Sequence, residues 1–198
     1  MQTDYIDLYQ THWQEFTTAI EDTMAALLSL KDQGKIRAIG VSNATVDQMK
    51  EYGEIDTDQE KYSMIHRNKD DEGNSAYCDE NDIAILAYSP LGQGLLTGKI
   101  TVDRKYNEGD VRLGSPLFAK DNVNRINSML EEFTPIAEAH DCNVGQLSLA
   151  WTYNRKGISH LLCGARNTQQ ALDNAMAGEI NLSQQDIADI DTIYSKYF

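Results

Sequence analysis

The sequence predicts an α/β fold built on a parallel sheet. Three observations carry that expectation. Short apolar strands alternate with amphipathic helices along the chain, the order imposed by βαβ units with right-handed crossovers. Ile83-Ala84-Ile85-Leu86-Ala87-Tyr88 is apolar throughout, as expected where a parallel strand is covered on both faces. The helix over Ala19 to Leu30 sets Ile20, Met24, Leu27 and Leu28 on one face, the spacing of a helix with one side buried.

Taken in order, Tyr5 to Tyr9 opens the chain as a strand, and the Ala19 to Leu30 helix stops at the C′ glycine Gly34. Ile36 to Val41 is a short buried strand, Thr45 to Tyr52 a short helix, and Gln59 to Tyr62 a weaker strand before the clear one at Ile83 to Tyr88. The polar stretch from Gly98 to about Lys120 has the length of a functional or disordered loop. Helices return over Val123 to His140 and Val144 to Asn154. Pro135 should kink or split the first, because its ring removes an N–H and crowds the preceding turn. Ser159 to Cys163 is a strand and Thr168 to Ala177 a helix. The last helix starts at Ser183 as N-cap, with Asp186 three residues on and Leu182 placed to staple onto Ile187. Five strands of this kind fit either an open doubly wound sheet or part of a barrel. No G-x-G-x-x-G follows the first strand, which argues against a dinucleotide-binding open sheet.

Composition narrows the function. The 198 residues are 41% hydrophobic and 24% charged, a globular balance, but short of the roughly 250 of a complete α/β barrel. The net charge of −14, with no basic stripe, repels nucleic acid and anionic membranes. No apolar run approaches the ~20 residues of a membrane span, so neither nucleic acid nor membrane is an expected partner. Met1-Gln2-Thr3-Asp4 has no basic n-region and no apolar h-region, so no signal peptide is expected. Cys78, Cys142 and Cys163 lack metal-ligand spacing; reduced thiols and a cytoplasmic location are the expectation.

Four motifs then occur in order: Asp4-Tyr5-Ile6-Asp7-Leu8-Tyr9-Gln10-Thr11-His12-Trp13, Gly34-Lys35-Ile36-Arg37-Ala38-Ile39-Gly40-Val41-Ser42-Asn43, Ala87-Tyr88-Ser89-Pro90-Leu91-Gly92-Gln93-Gly94-Leu95-Leu96-Thr97-Gly98-Lys99, and Cys163-Gly164-Ala165-Arg166-Asn167 followed by Gln170 and Asn174. Together they resemble the aldo-keto reductases over essentially the whole chain. The resemblance implies a (β/α)8 TIM barrel that reduces aldehydes and ketones with NADPH. It also implies that residues 1–198 form an incomplete barrel domain, a partial barrel of strands 4 to 8 with their helices.

By the same resemblance, His12 orients and polarises the carbonyl of a small-molecule substrate, where a donor must stabilise the developing alkoxide. The family's proton-donating tyrosine, with its lysine and aspartate, comes from strands without a counterpart here. Ser42, Asn43 and Gln59 match the residues that hydrogen-bond the nicotinamide carboxamide, which needs both a donor and an acceptor. Tyr88 matches the aromatic stacked on the nicotinamide ring. Ser89, Pro90, Leu91, Gly92 and Gln93 match the loop around the pyrophosphate, with Lys99 and Arg112 adding positive charge. Gly164 and Arg166 precede a helix carrying Gln170, Asp173 and Asn174. A helix start and a planar guanidinium both suit a 2′-phosphate, so NADP(H) is the expected cofactor.

Two features depart from the pattern. Asp58 stands where a buried strand residue is expected, and Asp70 to Asn81 is poor in apolar residues for a packed helix. Without the missing residues the chain is expected to be inactive alone. Its rivals are a non-catalytic NADP-binding or regulatory partial barrel, and a truncated product that needs a partner. Five strands cannot close an eight-strand geometry, so marginal stability is expected, with either self-association through open strand edges or disorder at the first strand.

Overall fold

The computed structural model describes residues 2–198, which divide into two compact units. The first runs to Tyr62 and adds His66–Tyr88 and Arg155–Leu162. It holds the whole sheet: β1 (Ile6–Gln10), β2 (Ile36–Ser42), β3 (Thr57–Lys61), β4 (Ala84–Tyr88) and β5 (Ile158–Leu162). The strands pair in parallel and in chain order. Among the described residues β1 pairs only with β2, and β5 only with β4, so both flanks are edges.

Four helices complete this unit: α1 (Ile20–Asp32), α2 (Val46–Tyr52), α3 (Asn68–Asp71) and α4 (Asn74–Glu80). Helix α1 buries Met24 and Leu27 and packs on β2. Gly34 follows it at φ +68, the left-handed conformation expected of a C′ glycine. Helix α2 begins with a reciprocal cap, in which Thr45 Oγ1 accepts the Gln48 N–H at 3.2 Å and Gln48 Oε1 accepts the Thr45 N–H at 2.9 Å.

Strand β4 corrects one expectation. Ile85 and Ala87 are buried, but Ala84, Leu86 and Tyr88 are only half-buried. A continuous apolar run does not distinguish two covered faces from one, because strand side chains alternate whatever their polarity. The polar stretch between β3 and β4 is not one helix but two, broken at Gly73 with φ +83. Its polarity matches that of the strand beneath it: Asn74, Ser75 and Cys78 of α4 are buried, as are Asp58 and Glu60 of β3.

The second unit comprises Ser63–Ile65, Ser89–Asn154 and Cys163–Phe198. It holds α5 (Lys120–Ala139), α6 (Val144–Tyr153), α7 (Thr168–Met176) and α8 (Gln184–Tyr194). Pro135 lies inside α5 without splitting it. The buried stripe Val123, Ile126, Met129, Leu130, Phe133 and Ala137 continues past the proline, and that burial outweighs one lost hydrogen bond. Ser183 caps α8 as expected, accepting the Asp186 N–H at 3.1 Å while Asp186 Oδ2 accepts the Ser183 N–H at 2.8 Å. The 98–120 stretch is built from turns, with Tyr106 edge-on to Phe118 at 5.7 Å. Among the described residues no helix is long and apolar enough to cross a membrane.

Candidate functional site

In the first unit, parallel register brings four of the sequence-predicted residues together. Ser42 ends β2 beside Gln59 of β3, and Tyr88 ends β4 beside Lys61. The chain leaves β2 through Asn43 at φ +56, a left-handed conformation that asparagine tolerates better than most residues. A run of hydrogen bonds follows. The Tyr88 hydroxyl donates to Asn43 Oδ1 at 2.9 Å, Asn43 Nδ2 to Ser42 Oγ at 2.9 Å, and the Ser42 hydroxyl to the Gln59 carbonyl at 2.8 Å. The Asn43 N–H also donates to the Gln59 carbonyl, at 3.1 Å. Burial, then the nearby Glu60, holds the Tyr88 hydroxyl above its ordinary pKa; it stays a neutral donor. The Asn43 amide, held in one orientation beside the Tyr88 ring, suits a flat carboxamide ligand.

His12 joins this cluster only through its backbone, whose carbonyl accepts from Asn43 Nδ2 at 3.4 Å. Its imidazole is exposed on the loop after β1, 6.1 Å from the Trp13 ring.

Next to the four residues lies a group that sequence reasoning found only in part. Asp58 and Glu60 are both fully buried. One amide joins them to the turn after β2: Asn74 Nδ2 donates to the Ala44 carbonyl at 2.8 Å, and lies 3.4 Å from Asp58 Oδ2 and 3.5 Å from Glu60 Oε1. Lys69 Nζ approaches Glu60 Oε2 at 3.4 Å and Glu72 Oε2 at 2.9 Å. Burial pushes Glu60 up to about 8, with the Asp58 charge adding to the shift, and burial pushes Asp58 up to about 6. Desolvation thus disfavours ionising both carboxyls at once, and the Asp58 charge makes Glu60 the harder of the two to ionise. Two acids at i and i+2 of a strand place both side chains on one face, and that spacing is the local signal for the pair.

The second unit carries the remaining predicted residues, in two places. Ser89, Gly92 and Gln93 all have φ +56, so the Ser89–Gln93 loop turns sharply, with Pro90 and Gly92 buried and Gln93 exposed. A Cβ on Gly92 would lie 2.8 Å from Ile65 Cδ1. Lys99 is exposed. Arg112 is not the free cation the sequence suggested. Its Nε and Nη2 grip Asp110 at 2.8 and 2.6 Å, over the Tyr106 ring at 4.6 Å. That pairing holds Asp110 down to about 2.

At α7, Asn167 caps the helix by accepting the Gln170 N–H at 2.9 Å. The preceding loop is tied back by Gln170 Oε1, which accepts the Arg166 N–H at 2.8 Å, and by Asn174 Nδ2, which donates to the Gly164 carbonyl at 3.3 Å. Arg166 is exposed and makes no ion pair among the described residues. Asp173 is occupied within its own helix, where Oδ1 accepts from Gln169 at 2.9 Å. A fixed loop, a helix start and an unpaired guanidinium can hold a phosphate.

The aldo/keto reductase family profile matches residues 1–195. The chain belongs to the aldo/keto reductase family. It is 41% identical over 189 residues to the NADH-specific methylglyoxal reductase of Escherichia coli, covering 92% of this chain and 57% of that protein. It is 34% identical to the aldo-keto reductase YhdN of Bacillus subtilis, covering 98% of this chain and 59% of that one. The structure superposes on the glycerol dehydrogenase AKR11B4 of Gluconobacter oxydans with a TM-score of 0.93 and 28% identity, covering 99% of this chain and 60% of that one. This aldo/keto reductase chain thus spans less than two thirds of the length of these relatives.

Proposed function

We propose that the chain binds a nicotinamide dinucleotide, NADP(H) by preference, for the reduction of small-molecule carbonyl compounds. The observation that carries this reading is the run of hydrogen bonds from Tyr88 through Asn43 and Ser42 to Gln59. Ser42, Asn43 and Gln59 would hold the carboxamide and Tyr88 the ring face, with Ser89, Pro90, Leu91, Gly92, Gln93 and Lys99 matched to the pyrophosphate; Arg112, held by Asp110, is left out of that set. The bound dinucleotide supplies a hydride for the carbonyl carbon. We read β1 to β5 as strands four to eight of the barrel, one incomplete domain over residues 1–198. Their unbroken parallel order supports this, as does the 57–60% coverage of longer relatives. Free cysteines fit a cytoplasmic setting.

Taken alone, the chain offers His12 as an orienting group but no counterpart of the family's proton donor, whose general acid catalysis is worth roughly 10² to 10⁴ in rate. Binding without useful turnover is the expected result for the purified chain with NADPH and a small aldehyde. Robust NADPH oxidation, abolished by His12→Ala, would overturn it. The β1 and β5 edges, with Tyr9, Trp13 and Leu162 exposed near them, are the surfaces proposed for self-association; a monodisperse monomer by size-exclusion chromatography would exclude it.

The 2′-phosphate preference rests on Arg166. A charge-assisted hydrogen bond is worth roughly 1.5–3 kcal/mol, so Arg166→Ala should lose about that much for NADPH and little for NADH. The name of the Escherichia coli relative makes NADH the competing choice. Calorimetry on the unmodified chain decides: equal affinity for the two cofactors would remove NADP(H) preference from the reading.

A further inference from the structure

Three elements meet at Asn74, and two of them lead to the residues assigned above to the carboxamide. Asp58 and Glu60 flank Gln59 on β3, and strand alternation sends their side chains to one face and that of Gln59 to the other. Ala44, whose carbonyl Asn74 holds at 2.8 Å, directly follows Asn43. A single buried amide therefore ties the Ser42–Asn43 turn to the strand that carries Gln59. Apolar side chains would fill this space without the desolvation cost of two acids. The acids instead leave Asp58 Oδ1 and Asn74 Oδ1 buried without a hydrogen-bond partner, so the group is costly as mere packing.

We propose that Asp58, Glu60 and Asn74 are positioning residues for the nicotinamide end of the site, holding Asn43 and Gln59 in register through the buried Asn74 amide that joins the Ala44 turn to β3. The proposal rests on the dinucleotide reading above.

With one proton on the pair, the two acids would carry a single negative charge between them, and Asn74 Nδ2 lies within reach of both. Without it, two carboxylates repel each other in a buried space. The groups that face them offer little relief. Lys69 of α3 pairs with Glu60, but it also pairs with Glu72. The Cys78 thiol of α4 is pushed up to about 12 by burial, with Asp58 and Glu60 adding to it, and the Tyr88 hydroxyl of β4 is likewise held neutral. Loss of the proton should separate β3 from α4, and the Ala44 turn moves with Asn74.

The test compares two ligands by calorimetry between about pH 7 and 9: NADPH, and the 2′-phosphorylated ADP-ribose that lacks nicotinamide. Wild-type affinity for NADPH should fall about tenfold as pH rises, the weight of one hydrogen bond to a charged or strained partner, while affinity for the fragment stays level. Glu60→Gln mimics the protonated acid. It should keep the neutral-pH affinity and remove the pH dependence. NADPH and fragment affinities that run parallel with pH, or an unchanged pH profile in Glu60→Gln, would overturn the proposal. Failure of both ligands to bind at every pH would overturn the dinucleotide reading itself. A ligand-free readout stands beside these: the side-chain amide NMR signals of Asn43 and Gln59 should titrate together above neutral pH in the wild type and stay fixed in Glu60→Gln. Signals that do not move in the wild type would refute the coupling directly.

Discussion

Replacing Glu60 by glutamine is expected to stabilise the protein by roughly 2–4 kcal/mol at about pH 8.5. In the folded chain burial holds the Glu60 proton up to about 8, whereas the ordinary value is 4.5. The folded state thus binds more protons than the unfolded state between these values. A raised acid contributes stability that is fully present below about 4.5 and is lost as pH rises through about 8. The full shift would correspond to ~5 kcal/mol; coupling to Asp58 places the expectation below that. Glutamine cannot ionise and keeps a donor for Asp58, so it avoids the alkaline loss. His66 acts in the opposite sense: burial pushes it down to about 4, so it adds stability as pH rises from there to its ordinary 6.5. It leaves the alkaline window untouched. Urea unfolding between about pH 6.5 and 8.5, above the His66 window and across the rise toward 8, checks this. The wild-type midpoint should fall with pH and that of Glu60→Gln should stay level. A variant no more stable than the wild type at alkaline pH would show that Glu60 is not held protonated by burial.

Gly157→Ala is expected to cost roughly 2–4 kcal/mol, combining a left-handed alanine with a core clash. Gly157 leads into β5 at φ +84, and a Cβ there would lie 2.6 Å from the backbone carbonyl oxygen of Ser75. That oxygen cannot easily retreat, because Ser75 belongs to α4 and its hydroxyl donates to Asp70 Oδ1 at 2.7 Å. Either α4 or the start of β5 must move. Gly34→Ala is the matched control: φ is +68, and nothing lies within 4 Å of the added Cβ. It should cost only the backbone strain, about 1 kcal/mol. Thermal melts of the two variants separate the contributions. Equal losses would mean that the Ser75 contact contributes nothing.

Much of the fold was legible in the residues because the signals were local. Gly34 ends α1, Ser183 and Asp186 cap α8, and the strands other than the polar β3 fall within a residue or two of their apolar runs. Each depends on dihedral preference or on a contact within one turn, which neighbouring residues fix between them. The candidate ligands Ser42, Asn43, Gln59 and Tyr88 were likewise named from motifs, but nothing local says that the Tyr88 hydroxyl reaches Asn43, 45 positions away.

What the sequence by itself determined is the alternation of strands and helices, their caps, and the family to which the motifs belong. Only the tertiary structure decided how the charged residues are spent. Asp58 and the polar Asp70–Asn81 stretch looked like separate defects, yet Asn74 joins them into one buried group with Glu60. Arg112 looked like a phosphate ligand, yet Asp110 takes its guanidinium. Pro135 looked like a break, yet burial on either side of it carries α5 through. In each case the residue type sets what a side chain can do, but its ionisation and its partner depend on desolvation and on distances across elements, which chain order does not encode.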